Sequence, residues 1–326
     1  RERARDAARP DDERFVSTGE LPPSPRVIAL VEEAWRRFGC VRDGAVSQVY
    51  PALARADPAL FGLCVVGTDG ATAGAGDADH EFTIMSVAKP FVFAVLCDAL
   101  GVETARDAVG VDATGRPFDS LAAIEADPGG RTNPMVNAGA IATTSFVGVG
   151  SPAARWATIL DALSRFAGRA LRLDDEVVAS AAATNHRNRA IVALLDSVGR
   201  LGSAPDVSLD LYTRQSCVLV TATDLAVMGA TLADGGVNPR TGEAVVSAES
   251  CRAALAVMAI AGMYERSGRW FFDVGLPAKS GIGGGLVTVS PGKGGLGAFS
   301  PPLDASGNSV RGQLATAFLS RRLGLD

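Results

Sequence analysis

Ser86 and Lys89 stand three residues apart in Ser86-Val87-Ala88-Lys89, a spacing that puts both side chains on one face of a helix. A serine hydroxyl is a weak nucleophile until a base takes its proton, and a lysine serves as that base only where burial strips its own. The spacing alone does not demand this chemistry, since a helix cap beside a surface lysine has the same pattern. Composition sharpens the question. Of 31 basic residues only Lys89, Lys279 and Lys293 are lysines; the rest are arginines, which stay protonated. Lys279 opens Lys279-Ser280-Gly281 ahead of an expected strand, whereas Lys293 sits in a Gly-Gly turn and reads as incidental. Tyrosine is equally scarce: Tyr50, Tyr212 and Tyr264 are the only three, beside 13 phenylalanines. Where Phe fills the aromatic core positions, a phenol is kept for its hydroxyl, either in a site or bonded to a backbone carbonyl at the core edge. With only two histidines, His80 and His186, a histidine base or a His-rich metal site has little to draw on.

The elements that must hold these groups follow from periodicity. The apolar stretch from Ser86 to Leu100 predicts a helix with Ser86 at its N-terminus, where the helix dipole favours negative charge on the oxygen. Ser24-Pro25 predicts the start of an earlier helix, with Ser24 as cap, a core face of Ile28, Val31, Trp35 and Phe38, and a stop at Gly39. Phe61 to Thr68, the turn Asp69-Gly70, and Ala71 to Gly76 read as a hairpin; Gly285 to Ser290 and Leu296 to Ser300 repeat the pattern across a glycine-rich turn. Asn308 to Leu323 reads as a last helix. Between the hairpins the chain is helical, as in Ala153 to Phe166 and Thr223 to Leu232. Residues 1 to 23, dense in opposed charges and proline, read as a mobile tail. Residues 24 to 326 read as one domain, its sheet drawn from both ends and a helical lobe over roughly 100 to 265.

A formal charge of -5 and a pI near 5.2 argue against nucleic acid or a membrane surface as partner, since both select basic patches. No apolar run approaches the roughly 20 residues needed to cross a bilayer, and no basic-then-apolar leader opens the chain. Five scattered cysteines without metal spacing read as reduced thiols. A cytoplasmic enzyme with a small-molecule substrate is the expectation.

A serine and lysine three apart, followed far downstream by Lys-Ser-Gly, is the pattern of serine β-lactamases and penicillin-binding proteins. The chain also carries Asn133-Pro134-Met135-Val136-Asn137-Ala138-Gly139-Ala140-Ile141, Arg187-Asn188, Met263-Tyr264, Gly275-Leu276-Pro277-Ala278-Lys279-Ser280-Gly281-Ile282-Gly283-Gly284-Gly285 and Gly307-Asn308-Ser309-Val310. In this order, from about residue 25 to the C-terminus, it resembles the serine-dependent glutaminases of β-lactamase-like fold. The resemblance implies an α/β protein of α+β layout: a central, mainly antiparallel sheet flanked by helices, with an inserted helical lobe. It implies that Ser86 attacks the side-chain amide of L-glutamine, Lys89 takes its proton, and Tyr212 and Tyr264 relay protons or steady the pair. The amides of Ser86 and Ile282 would form the oxyanion hole. Asn137 and Asn188 would hold the amino-acid end of the substrate, with Arg187 adding charge, Tyr50 closing the pocket, and Ile282, Lys279 and Ser280 also binding substrate. No cofactor is implied, and a homodimer or homotetramer is.

Two positions depart from the family. Ala181 stands where a glutamate would meet the α-ammonium of glutamine, and Met85 stands where a glutamine usually precedes the serine. Losing a hydrogen bond to a charged group costs about 1.5 to 3 kcal/mol, so the departures bear on substrate strength and choice rather than on the nucleophile. Two other readings share parts of the pattern. A β-lactamase or penicillin-binding protein has Ser86, Lys89 and the Lys279 motif but not the Asn133 to Ile141 block. A non-catalytic amino-acid binder would explain Ala181 and Met85 but not an intact serine and lysine.

Overall fold

The computed structural model describes residues 19–326; the part of the expected tail in residues 1–18 lies outside them. Eight strands are present among the described residues: β1 Gly62–Gly67, β2 Thr72–Gly76, β3 Phe82–Thr83, β4 Arg172–Leu173, β5 Val218–Val220, β6 Ala278–Ser280, β7 Gly285–Ser290 and β8 Gly294–Phe299. Five of them form one sheet in the order β2-β1-β8-β7-β6, antiparallel at every pairing. The N-terminal and C-terminal hairpins therefore meet at β1 and β8, where Val65 lies opposite Leu296.

Every residue of β1, β7 and β8 is buried, so helices cover both faces of the sheet. Alternation along β1 sends Leu63 and Val65 towards the helices Ser24–Phe38 and Val310–Leu323. Cys64 and Val66 point the other way, onto Ala226, Val227 and Ala230 of the helix Ala222–Ala233. That second helix lies directly on the glycines of β8. A Cβ at Gly295 would fall 2.3 Å from Ala226 O, and one at Gly297 would fall 2.0 Å from Ala222 O. Only glycine permits this approach. Arg311, 1% exposed, ties the last helix to the start of the sheet, with Nε on Ser300 Oγ at 2.8 Å and Nη2 on Leu60 O at 3.0 Å.

The middle of the chain supplies most of the helices. Lys89–Leu100 runs through their core, packed against Asn137–Phe146, Pro152–Ala167 and Ala248–Ala261. From Pro90 to Cys97 it is apolar all round, with Phe91, Phe93 and Leu96 each at most 1% exposed, and only its last turn, Asp98 to Leu100, reaches solvent.

Several expectations need correction. The first helix does span Ser24–Phe38, but its cap is Pro23 rather than Ser24, and Gly39 follows with an ordinary φ of -63°. Its core face is Val27, Leu30, Val31 and Ala34, while Ile28 and Trp35 are 43% and 38% exposed. Trp35 lies on the flank because its indole N–H donates to Phe61 O at 2.9 Å. Lys279 precedes the expected strand β7, as read, but itself lies within a further strand, β6, that pairs with it. Lys293 is not incidental: it is buried, and its Nζ donates to Gly324 O at 2.6 Å just beyond the last helix.

Candidate active site

Strand β3 leads into the site. Ile84 N–H donates to Val218 O at 2.9 Å, which fixes the approach, and Met85 then turns the chain with a φ of 47°. A short 3₁₀ turn, Met85–Ala88, carries Ser86 into the helix Lys89–Leu100. In a 3₁₀ turn residues three apart eclipse, so Ser86 and Lys89 lie on the same side. Among the described residues, Met85 and Tyr264 are the only non-glycines with positive φ, at 47° and 55°. Such conformations cost about 1 to 3 kcal/mol each and persist where packing imposes them, most often at functional sites. Both adjoin Ser86: Met85 precedes it, and the Tyr264 phenol lies close enough for the Ser86 side chain to act on its ionisation.

Two hydrogen-bonded groups flank the serine. In the first, Lys89 Nζ donates to Asn137 Oδ1 at 2.8 Å and to Met135 O at 3.1 Å. Tyr212 donates its hydroxyl to the same Asn137 Oδ1 at 3.2 Å, and Asn137 Nδ2 donates to Asn188 Oδ1 at 3.0 Å. Asn137 is thus the hub of this group, holding the lysine as well as Asn188. The Asn133-Pro134-Met135 turn serves it: Asn133 Oδ1 accepts from Met135 N–H at 3.0 Å, and its Nδ2 donates to Asp112 O at 2.9 Å. That turn aims the Met135 carbonyl at the lysine.

In the second group, the Ser280 carbonyl accepts from Tyr264 Oη at 3.1 Å and from Lys279 Nζ. The lysine also sits 4.2 Å from the Tyr264 ring centroid, a cation–π contact when it is charged. Lys279 and Ser280 are wholly buried, so they back the site. Ser280 Oγ has no hydrogen-bond partner among the described residues. Lys89, Tyr212, Tyr264, Asn137 and Asn188 are each buried too, whereas Ser86, Tyr50 and Ile282 are half-buried. One wall is apolar: Met85, Val177, Ala181 and Cys217 pack together with Tyr50 and Ile282 against them. The two departures from the family pattern, Met85 and Ala181, therefore touch the same cluster. A cavity of about 730 Å³ opens beside it, lined by Ser47, Val49, Phe118, Ile282 and Leu303.

Burial sets the ionisation. It pushes Lys89 down to about 7, with the Asp119 charge opposing the shift. It also holds Lys279 well below its ordinary value, helped by repulsion from Lys89. Tyr50 is pushed up to about 12 by burial and then by Cys217, and burial likewise raises Tyr212 and Tyr264. Near pH 7 the phenols are therefore protonated and able to donate, while Lys89 is poised between ammonium and amine. A base acts only in its neutral form, so kcat/KM is expected to rise with pH through a midpoint near 7 and then level off. A profile from pH 5 to 10 checks this; a midpoint near 10, the ordinary lysine range, would contradict it. No group of three or more His, Cys, Asp or Glu among the described residues could hold a metal ion.

Strands assembled from both chain ends, the helical middle and a serine–lysine turn facing a Lys-Ser-Gly strand define a hydrolase of the β-lactamase-like fold. The glutaminase family model matches residues 44–326. Glutaminase 2 of Yersinia pestis is 60% identical over 312 residues, covering 96% of this chain and 92% of that protein. The solved structure of the probable glutaminase YbaS superposes with a TM-score of 0.91 at 41% identity, covering 93% of this chain and 98% of that one. That of Mglu in its glutamate form gives 0.87 at 39% identity, covering 91% and 68%. The chain belongs to the glutaminase family.

Proposed function

We propose that this glutaminase hydrolyses the side-chain amide of L-glutamine through an acyl-enzyme on Ser86. The observation that carries the reading is Lys89: buried, held by Asn137 and Met135, with a proton it loses near neutral pH. Neutral Lys89 takes the hydroxyl proton as Ser86 Oγ bonds to the amide carbon. Negative charge on the former carbonyl oxygen is met by the backbone amides of Ser86 and Ile282. The C–N bond then breaks, and the leaving nitrogen gains its proton from the Lys89 ammonium, directly or through Tyr212 or Tyr264. Water attacks the resulting ester with Lys89 again as base, releasing glutamate and restoring Ser86. Asn137 and Asn188 orient the amino-acid end, Tyr50 and Ile282 bound the pocket, and Lys279 and Ser280 fix Tyr264. That Mglu was solved in its glutamate form supports a site shaped for this product.

Hydroxylamine tests the intermediate. During L-glutamine turnover it is expected to divert the acyl group to γ-glutamyl hydroxamate in proportion to its concentration. Ammonia release without hydroxamate would overturn the acyl-enzyme, and no ammonia from glutamine would move the reading to another amide. A cytoplasmic location is supported by Cys40, Cys64, Cys97, Cys217 and Cys251 all being free thiols, the state that reducing compartments maintain. A homodimer or homotetramer is supported by the exposure of Phe271 and Phe272 on one helix, 43% and 90%, and sedimentation measures it.

A further inference from the structure

Glutamine brings two charges besides its reactive amide, and each needs an opposite charge or water to be bound without penalty. The inner lining supplies lysines, phenols and carboxamides, and its remaining wall of Met85, Val177, Ala181 and Cys217 is apolar. No carboxylate stands among these residues, so the acid for the α-ammonium must come from elsewhere.

Several neighbouring acids are already committed. Glu176 pairs with Arg55, Asp174 caps the helix it precedes by accepting from Val177 N–H at 3.0 Å, and Asp304 accepts from Ser306 and Asn308 N–H. Asp119 differs. Its carboxylate lies 3.7 Å from Arg187 Nε, beyond hydrogen-bond length, with the two side chains 40% and 53% exposed. Such a pair contributes little to stability, so a ligand's charges can replace it at small cost.

Its place is fixed nonetheless. Arg187 Nε donates to the Asp119 carbonyl at 2.8 Å. The preceding residue, Phe118, accepts from Asn137 N–H at 2.7 Å and sets its ring 4.8 Å from that of Tyr264. Arg187 in turn precedes Asn188, which is bonded to Asn137. Each charge thus sits one residue from a group of the site, and the Asp119 charge acts on Lys89.

We propose that Asp119 and Arg187 form the zwitterion-binding end of the site, Asp119 taking the α-ammonium of the substrate and Arg187 its α-carboxylate. The proposal rests on the glutaminase reading and names a specificity determinant for a site whose apolar wall holds Ala181. Its test compares L-glutamine with 4-carbamoylbutanoate, which is glutamine without the amino group. Asp119→Asn is expected to lower the ratio of kcat/KM for glutamine over 4-carbamoylbutanoate by about tenfold, the lower end for a lost charged hydrogen bond. Ala181→Glu placed in that variant is expected to return part of the ratio. Any effect of Asp119 on Lys89 or on folding acts on both substrates and cancels in the ratio. A ratio within twofold of wild type, in a variant whose Tm is unchanged, overturns the proposal while leaving the glutaminase reading intact. Failure of the wild-type protein to release ammonia from glutamine would instead remove the reading on which it stands.

Discussion

Ser86→Ala and Lys89→Met are each expected to lower kcat for ammonia release by at least about 10⁴-fold, and the double variant by no more than either alone. In the proposed mechanism Ser86 supplies the oxygen that carries the acyl group, and Lys89 takes the proton from it. Each group works only through the other, so deleting the second removes nothing further. Folding is expected to survive in Lys89→Met because two energies oppose each other. Met leaves Met135 O without its donor, at about 1 to 3 kcal/mol, while Asn137 Oδ1 keeps the Tyr212 hydroxyl. Against this, burying Lys89 is itself costly. Its folded pKa of about 7 lies below the ordinary 10.5, so between those values the unfolded chain binds more protons and stability rises with pH. Below pH 7 the cost is present in full, on the order of 5 kcal/mol from the size of that shift, and the substitution removes it. Thermal melts beside rapid-mixing assays check both halves. A double variant far slower than either single would show that the residues act separately.

The family and the candidate residues were more legible in the sequence than the geometry that brings those residues together. Ser86, Lys89 and the Lys279 strand could be read because lysine is so rare in this chain that its positions carry meaning. The hairpins declared themselves through Asp69-Gly70 and the glycine-rich turn after Ser290. The role of Asn137 as the acceptor that holds Lys89 was not legible, because it depends on two side chains 48 residues apart meeting in the core. The strain at Met85 was hidden for a related reason: its φ of 47° is imposed by packing between β3 and the following helix, not by local preference. Strands β3, β4 and β5, two or three residues long, are too short to show a period of two. The first helix shows how a correct element can carry a wrong face. Its apolar residues occupy more than one stripe, and only contact with the sheet selects Val27, Leu30, Val31 and Ala34.

Gly281→Val is expected to lower kcat by about 10²- to 10³-fold with KM little changed, the effect of losing one oxyanion donor. The cause is steric. A Cβ at Gly281 would lie 3.0 Å from Ile84 O, 3.1 Å from Val87 Cγ2 and 3.3 Å from Ser86 N. It would enter the space in front of the Ser86 amide, where the proposed mechanism places the oxyanion. Gly281 does not adopt a positive φ, so its own backbone accepts a side chain without dihedral strain. Its N–H donates to Gly285 O at 3.0 Å and its carbonyl accepts from Gly284 N–H at 3.0 Å, bonds that valine can keep. The penalty therefore falls on the transition state, where the amide must come within hydrogen-bond reach of the oxygen, more than on the neutral ground state. Gly281→Ala, needing the Ser86 turn to give by a few tenths of an ångström, is expected to fall between wild type and valine. A valine variant with normal kcat would mean that the Ser86 amide does not face the oxyanion, and the hole would have to be sought on the Ile282 side alone.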